Sequence, residues 1–272
     1  MPTNTTSIAP RPPIRIGLAL GGGFARGIAH AGVLKVFQQH HIPVHCVTGI
    51  SAGAIAAAAY ASGATPDEIA RAGCSLRLAD VGEWRPGRMG LVRNQCLTRF
   101  LARLLKTYRF EQMTIPLGIV ATDFHTGDPV SFVGRGRVFE PVRASCAFPG
   151  LFQPVRHRGR VLVDGAVSTP IPAALARQLG ATHVISVALP APTGGGMLGR
   201  VLGAVKRCFQ NLHTQTDEEW QRESDLVITP DVGGVDWYAF GRGATLVQAG
   251  EEAALAALPI IQRWLERVQM VA

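Results

Sequence analysis

Two kinds of apolar run alternate along this chain. Ile14 to Leu20, Val44 to Val47, Val161 to Val163, Val184 to Leu189 and Leu226 to Ile228 are short and nearly unbroken, the form expected of strands buried on both faces. Between them, apolar positions recur at three- and four-residue spacing. Ile28, Ala29, Val33, Leu34, Val36 and Phe37 form one such stripe, and an Ala-rich run from Ala54 to Ala61 forms another. Leu97 to Tyr108 is two-faced, with Leu97, Phe100, Leu101, Leu104 and Leu105 opposite Arg99, Arg103 and Lys106. That stripe reads first as core packing and second as the wall of an acyl-chain channel. Thr65-Pro66-Asp67-Glu68 and Thr169-Pro170-Ile171-Pro172 read as helix starts, the second helix reaching Leu179. The Gly/Pro/Arg-rich stretch from Arg85 to Met89 predicts a surface loop. Strands alternating with helices predict an α/β fold, a three-layer α/β/α sandwich around a mostly parallel sheet. With no linker or internal repeat, residues 14–272 are expected to form one domain behind a disordered tail, residues 1–13.

The glycines sit where strand is expected to become helix. Gly49-Ile50-Ser51-Ala52-Gly53 lies between the run at Val44 and the run at Ala54. Strand, sharp turn and helix are the context a Gly-x-Ser-x-Gly nucleophile elbow requires. Gly49 and Gly53 let the two elements approach without Cβ clashes, and the helix N-terminus points its dipole at Ser51. A tight turn serving only packing is the plainer reading. Gly21-Gly22-Gly23-Phe24-Ala25-Arg26-Gly27 likewise joins the first strand to the first helix. A dinucleotide fingerprint fails there, because Arg26 holds the third glycine position and no acid occurs before Asp67. A P-loop fails because Ile28 stands where lysine is required. An oxyanion hole survives, with the Gly22 and Gly23 N–H groups as donors. The alternative is a glycine turn with no ligand.

A serine nucleophile needs a base. Val161-Leu162-Val163-Asp164-Gly165-Ala166 ends an apolar strand in an acid and a small turn, at the sheet edge where Ser51 is expected. Taken alone, an Asp-Gly after a strand is usually only a turn. Of the eight histidines, His183 is the best placed for a Ser51–Asp164–His183 triad, although a strand start is its plainer role. A Ser–Asp dyad is preferred. The α/β-hydrolase alternative normally has several strands before its nucleophile, and here one clear strand precedes the one that delivers Ser51.

Gly21 to Gly27, Gly49 to Gly53 and Asp164-Gly165-Ala166 together resemble the patatin-like phospholipase family. Ile119 to Gly127 and Arg143 to Val155 agree with it, and the likeness runs from about Ile14 to about Gly250. It is of the bacterial type, similar to the catalytic domain of neuropathy target esterase. The resemblance implies hydrolysis of lipid esters, with Ser51 as nucleophile, Asp164 as base and Gly22 and Gly23 as oxyanion donors. It further implies that Gly21, Arg26 and Gly27 support the loop. Ile50 stands where threonine is usual and Ala166 where glycine is common. Neither departure touches the chemistry.

Composition narrows the partners. Five widely spaced cysteines without a Cys-x-x-Cys fit a reducing compartment better than a disulfide framework or zinc site. The start of the chain is Pro/Thr-rich and lacks the apolar stretch of a signal peptide. No uninterrupted apolar run approaches the roughly 20 residues of a membrane span. These features predict a cytoplasmic protein, peripheral at most to the inner membrane surface. The net charge of +8 is carried almost wholly by arginine, since lysine occurs only at Lys35, Lys106 and Lys206. No nucleic-acid signature accompanies it. An anionic lipid surface suits the enzyme reading, and dispersed solvated arginines are an equal alternative. Gly194-Gly195-Gly196 before the basic, two-faced stretch Met197 to Phe209 resembles a hinge and a lid, with a core-facing helix as the plainer reading. The expected substrate is a phospholipid or lysophospholipid, with no metal and no cofactor. A non-catalytic lipid-binding module is the remaining competitor.

Overall fold

The computed structural model describes residues 13–87, 89–190 and 214–269. Strand β1 (Ile16–Leu20) leads through a 3-10 turn (Phe24–Ile28) into helix α1 (Ala29–Gln39). Strand β2 (Val44–Gly49) leads into α2 (Ala52–Ala61) and α3 (Pro66–Ser75). A short helix α4 (Leu78–Val81), strands β3 (Glu83–Gly87) and β4 (Gly90–Arg93) and helix α5 (Cys96–Leu104) follow. Then come β5 (Leu117–Asp123), β6 (Pro129–Phe132), α6 (Phe139–Ser145), β7 (Gly150–Phe152), β8 (Val155–His157) and β9 (Arg160–Asp164). The remaining elements are α7 (Ala173–Gln178), β10 (His183–Val187), α8 (Thr214–Arg222), β11 (Leu226–Ile228) and α9 (Gly243–Gln269).

The main sheet has the order β11-β10-β1-β2-β5-β9-β8, and β6 also pairs with β5. From β11 to β5 every pairing is parallel, while β6, β9 and β8 are added antiparallel. Helices cover both faces. Leu18, Leu20 and Val47 pack under α1 and α2, and Ala19, Cys46 and Val184 pack under α7. This is the three-layer α/β/α arrangement that unbroken apolar strands require, because a strand buried on both faces has no polar side.

The first expected helix start is present, while the second helix, α7, begins later than Thr169, at Ala173, with Pro172 at its cap. Thr65 caps α3, its side chain accepting the Glu68 N–H while the Glu68 side chain accepts the Thr65 N–H. The amphipathic stripe forms α5 but stops at Leu104, because Leu105 turns extended while staying buried. Arg85 to Met89 is not a plain loop. Arg85 to Gly87 belong to β3 of a small second sheet, β3-β4-β7, and every residue of β3 is exposed. The longest helix, α9, carries Gly250 and Pro259 in its interior, residue types that disfavour a helix. By length and composition alone, Phe240–Glu266 could cross a membrane. In the fold, Leu246, Ala254 and Ile261 are core, and α9 meets α1 backbone to backbone. A Cβ on Gly32 would lie 2.0 Å from the Val247 carbonyl, and one on Gly250 would lie 2.0 Å from that of Ala29. Apart from Pro13, the expected tail 1–13 lies outside the described residues, as do the 194–196 hinge and the stretch 197–209.

Candidate active site

Ser51 stands between the end of β2 and the first turn of α2 with φ 51° and ψ −124°, a conformation that residues with a Cβ rarely adopt. Holding a serine there costs on the order of 1–3 kcal/mol, so the surroundings must impose it. The glycines allow the imposition. A Cβ on Gly49 would sit 2.4 Å from the Gly53 carbonyl, and one on Gly53 would sit 2.2 Å from that of Leu20. A Cβ on Gly27 would sit 2.3 Å from Ala52 Cβ. Three hydrogen bonds fasten the turn. Ile50 N–H donates to Leu20 O at 3.1 Å, Ser51 N–H donates to Ser145 Oγ at 2.8 Å, and the Cys146 thiol donates to Ser51 O at 3.2 Å. Ser145 Oγ in turn donates to Val120 O at 2.6 Å. The Ile50 side chain packs with Val120 and Leu175, away from Ser51.

Asp164 ends β9 in register with Ala121 of β5 and is only 1% exposed. Ser51 Oγ donates to Asp164 Oδ2 at 2.8 Å, and Ala166 N–H donates to Oδ1 at 2.9 Å. The Asp164 carbonyl accepts from Thr122 Oγ1 at 2.9 Å. The carboxylate thus addresses the serine directly. His183 lies elsewhere. It pairs with Ile16 at the start of β1, whereas Gly49 pairs with Leu20 at its end. Those four residues of strand, 20 minus 16, put the two edges about 13 Å apart. His183 instead stacks on Trp264 and touches Thr182 Oγ1, so the triad alternative has no third member there.

The glycine loop lies across the serine. Gly21 N–H donates to Val187 O at 3.1 Å. Among the described residues, the Gly22 and Gly23 N–H groups have no acceptor. A Cβ on Gly22 would lie 3.1 Å from Ser51 Cβ and 3.8 Å from Ser51 Oγ. Arg26 does not reach into this space. It is buried, with Nε donating to Val235 O at 2.7 Å and Nη1 to Pro190 O at 3.0 Å, so it braces the loop from behind. Gly22→Ala is expected to push Ser51 and the loop apart and lower kcat about 100-fold, the scale of one lost oxyanion donor. Steady-state assays on a soluble ester should show KM and the thermal midpoint nearly unchanged.

An apolar cavity of about 60 Å³ opens beside Ser51, walled by Phe24, Ile55, Leu76, Val81, Leu97 and Phe152. A second of about 60 Å³ shares Phe24, Ile55 and Leu76 and continues to Phe100 and Leu104. The stripe on α5 therefore serves both as core and as cavity wall.

The residues that fasten the elbow carry no mark in the sequence. Ser145 and Cys146 lie within a stretch that resembles the family, but nothing in their residue types singles them out. Desolvation first, and then the nearby Asp164 carboxylate, hold the Cys146 thiol well above its ordinary pKa. His30, fully buried behind the glycine loop, has Nε2 2.8 Å from Gly21 O. Burial pushes its pKa down to about 4, against the pull of that carbonyl. The unfolded chain, with an ordinary histidine pKa near 6.5, takes up a proton that the folded state refuses. His30 therefore favours the fold fully above about pH 6.5, and that contribution is lost as pH falls toward 4. Denaturant titrations at pH 7.5 and 4.5 should differ by on the order of 2–3 kcal/mol more in wild type than in His30→Gln.

A serine in a strained strand-to-helix turn, an aspartate on its hydroxyl and an apolar cavity alongside place the chain among α/β/α proteins with a serine–aspartate site. The patatin-like phospholipase family matches residues 18–177, which include Gly21 to Gly27, Ser51 and Asp164, and the chain belongs to that family. An uncharacterized NTE family protein of Mycobacterium tuberculosis is 33% identical over 187 residues, 66% of this chain and 51% of its own length. Patatin-like phospholipase domain-containing protein 6 of Mus musculus is 30% identical over 181 residues, 63% of this chain and 13% of its own length. The chain spans about half the length of the first and a small part of the second. VipD from Legionella pneumophila has a similar fold, with a TM-score of 0.57 and 14% identity over 91% of this chain and 67% of that one.

Proposed function

We propose that this protein is a serine lipid acyl hydrolase of phospholipase A or lysophospholipase type, working through Ser51 and Asp164. The observation that carries this reading is the 2.8 Å hydrogen bond from Ser51 Oγ to Asp164 Oδ2 at the strained elbow. Asp164 takes the hydroxyl proton as Ser51 Oγ bonds to the ester carbonyl carbon. The carbonyl oxygen becomes an oxyanion facing the Gly22 and Gly23 N–H groups. Collapse breaks the ester bond, and the leaving alkoxide takes the proton from Asp164. Water, deprotonated by Asp164, then attacks the acyl-enzyme, and the acid leaves with Ser51 restored. The apolar cavity accommodates the start of the acyl chain. Neither half-reaction calls for a metal or organic cofactor. Fluorophosphonate treatment followed by intact mass and peptide mapping tests this. A single adduct on Ser51, absent from Ser51→Ala, supports it together with turnover of a phospholipid or lysophospholipid. A label elsewhere, or no label and no turnover, leaves a lipid-binding module instead.

The substrate class implies a surface. We propose that the protein works peripherally on anionic lipid on the cytoplasmic side of the membrane. The net charge of +8 supports the charge preference, and four free cysteines among the described residues support a reducing compartment. The β3–β4 hairpin supports the place of contact. Trp84 is 68% exposed there, with Met89, Leu91 and Arg85 also exposed. Leu76 and Val81, just before the hairpin, line the cavity at Ser51. An exposed tryptophan beside arginines suits the interfacial region of a bilayer. Trp84→Ser combined with Arg85→Glu should lower binding to phosphatidylglycerol vesicles and hydrolysis of vesicle lipid about tenfold, and leave hydrolysis of a soluble short-chain ester unchanged. Unchanged vesicle binding would remove the hairpin from the reading.

A further inference from the structure

We propose that His30 is a positioning residue, whose Nε2–H holds the Gly21 carbonyl and thereby turns the Gly22 N–H toward the oxyanion formed on Ser51. The inference rests on Gly22 being an oxyanion donor. A carbonyl oxygen only accepts, so the 2.8 Å contact requires the proton on Nε2. Among the described residues, Nδ1 has no partner at all, although the ring is fully buried. A buried ring that leaves one nitrogen unpaired is a poor choice for packing alone. What it gains is control of one peptide group. The Gly21 carbonyl and the Gly22 N–H belong to the same planar trans unit and point in opposite directions. Drawing the oxygen toward His30 therefore sends the N–H to the other side, where Gly22 lies against Ser51.

The peptide needs such a hold. Neither Gly21 nor Gly22 has a Cβ, so no side chain of its own restrains the unit between them, and its orientation is left to neighbours such as Gly53 and His30. Its upstream neighbour is fixed, because Gly21 N–H bonds Val187 O, but among the described residues the Gly22 and Gly23 N–H groups have no acceptor. A rotated unit would present a carbonyl to the oxyanion instead of a donor. His30 is the second residue of α1, nine positions beyond Gly21, and the 3-10 turn at Phe24–Ile28 folds the chain back to bring it beneath the loop.

The test combines tautomer and kinetics. In wild type, nitrogen-15 NMR should show His30 neutral at pH 7, with Nε2 protonated and Nδ1 bare. The opposite tautomer overturns the proposal whether or not the protein turns over ester, so this arm is independent of the hydrolase reading. That reading is checked separately by fluorophosphonate labelling of Ser51. On a soluble short-chain ester, His30→Phe should lower kcat about 10- to 100-fold, less than outright loss of a donor. KM should stay within about twofold, since the bond acts on the transition state. Affinity for a trifluoromethyl ketone, which forms an oxyanion on the serine, should fall in step with kcat. His30→Gln, whose amide can donate to the same carbonyl, should recover much of the loss. Unchanged kcat in a folded His30→Phe, or equal losses in both variants, overturns the positioning role. Where His30→Phe does not fold, the tautomer and the ketone affinity of His30→Gln still decide.

Discussion

Asp164→Asn should lower turnover of a soluble ester by roughly 10⁴-fold while leaving the protein folded. The chemistry is specific to the oxygen that accepts from Ser51 Oγ at 2.8 Å. An amide in that place donates to the serine rather than receiving its proton, so the nucleophile is never generated. The structural duties of Asp164 survive. Asn can still accept the Ala166 N–H with its Oδ1, and the backbone bonds to Ala147 and Thr122 are untouched. The side chain is almost wholly buried, and replacing a carboxylate there with a neutral isostere relieves desolvation. The thermal midpoint should therefore hold or rise. Calorimetry and steady-state kinetics on one preparation give both numbers. Activity within about tenfold of wild type, a barrier change of about 1.4 kcal/mol, would mean that another group is the base.

Gly53→Ala should cause a large loss of stability for one added methyl. Its Cβ would fall 2.2 Å from the Leu20 carbonyl and 2.6 Å from that of Gly21. Both obstacles are backbone, and Leu20 lies in the middle of a parallel sheet with partners on each side. Neither can yield without breaking the ladder or shifting the oxyanion loop. A loss of about 3 kcal/mol or more is expected, at the upper end of overpacking costs, with the activity of any folded fraction reduced more than 100-fold. Gly234→Ala is the matched control. Nothing lies within 4 Å of its Cβ, and it should change stability by less than about 0.5 kcal/mol. Denaturant unfolding of the pair separates close approach from the general effect of removing a glycine.

These glycines also show what was legible in the sequence. Strands buried on both faces must be apolar throughout, so β1, β2, β9 and β10 announce themselves, whereas β11 has the same apolar run at the sheet edge with Val227 exposed. A serine between two glycines at a strand-to-helix junction carries its geometry in its residue types. Asp164 was weaker, because an Asp-Gly turn has many uses. Only the antiparallel register of β9 on β5 places its carboxylate at Ser51. Strand register also decides against His183, since one sheet edge differs from the other by position alone. Arg85 to Met89 reads as a loop because β3 buries no face and so shows no alternation. Helix α9 is harder to read because Gly250 and Pro259 lie inside it, and the packing of Gly250 on Ala29 explains the first of these. Ser145, 94 positions from Ser51, is a contact that only the folded chain creates.

The bracing of the glycine loop bears on how this protein could be divided. The family match ends at residue 177, after every residue assigned to the chemistry. A fragment cut there would contain both halves of the Ser51–Asp164 pair, but it would lose Val187, Pro190 and Val235, whose carbonyls hold Gly21 and Arg26. It would also lose α9, which lies against the helix that carries His30. The smallest autonomous unit is therefore expected to extend past residue 177. Grafts, split-protein fragments or minimised versions must carry the chain through α9, because its second half is the scaffold on which the first half's chemistry is set.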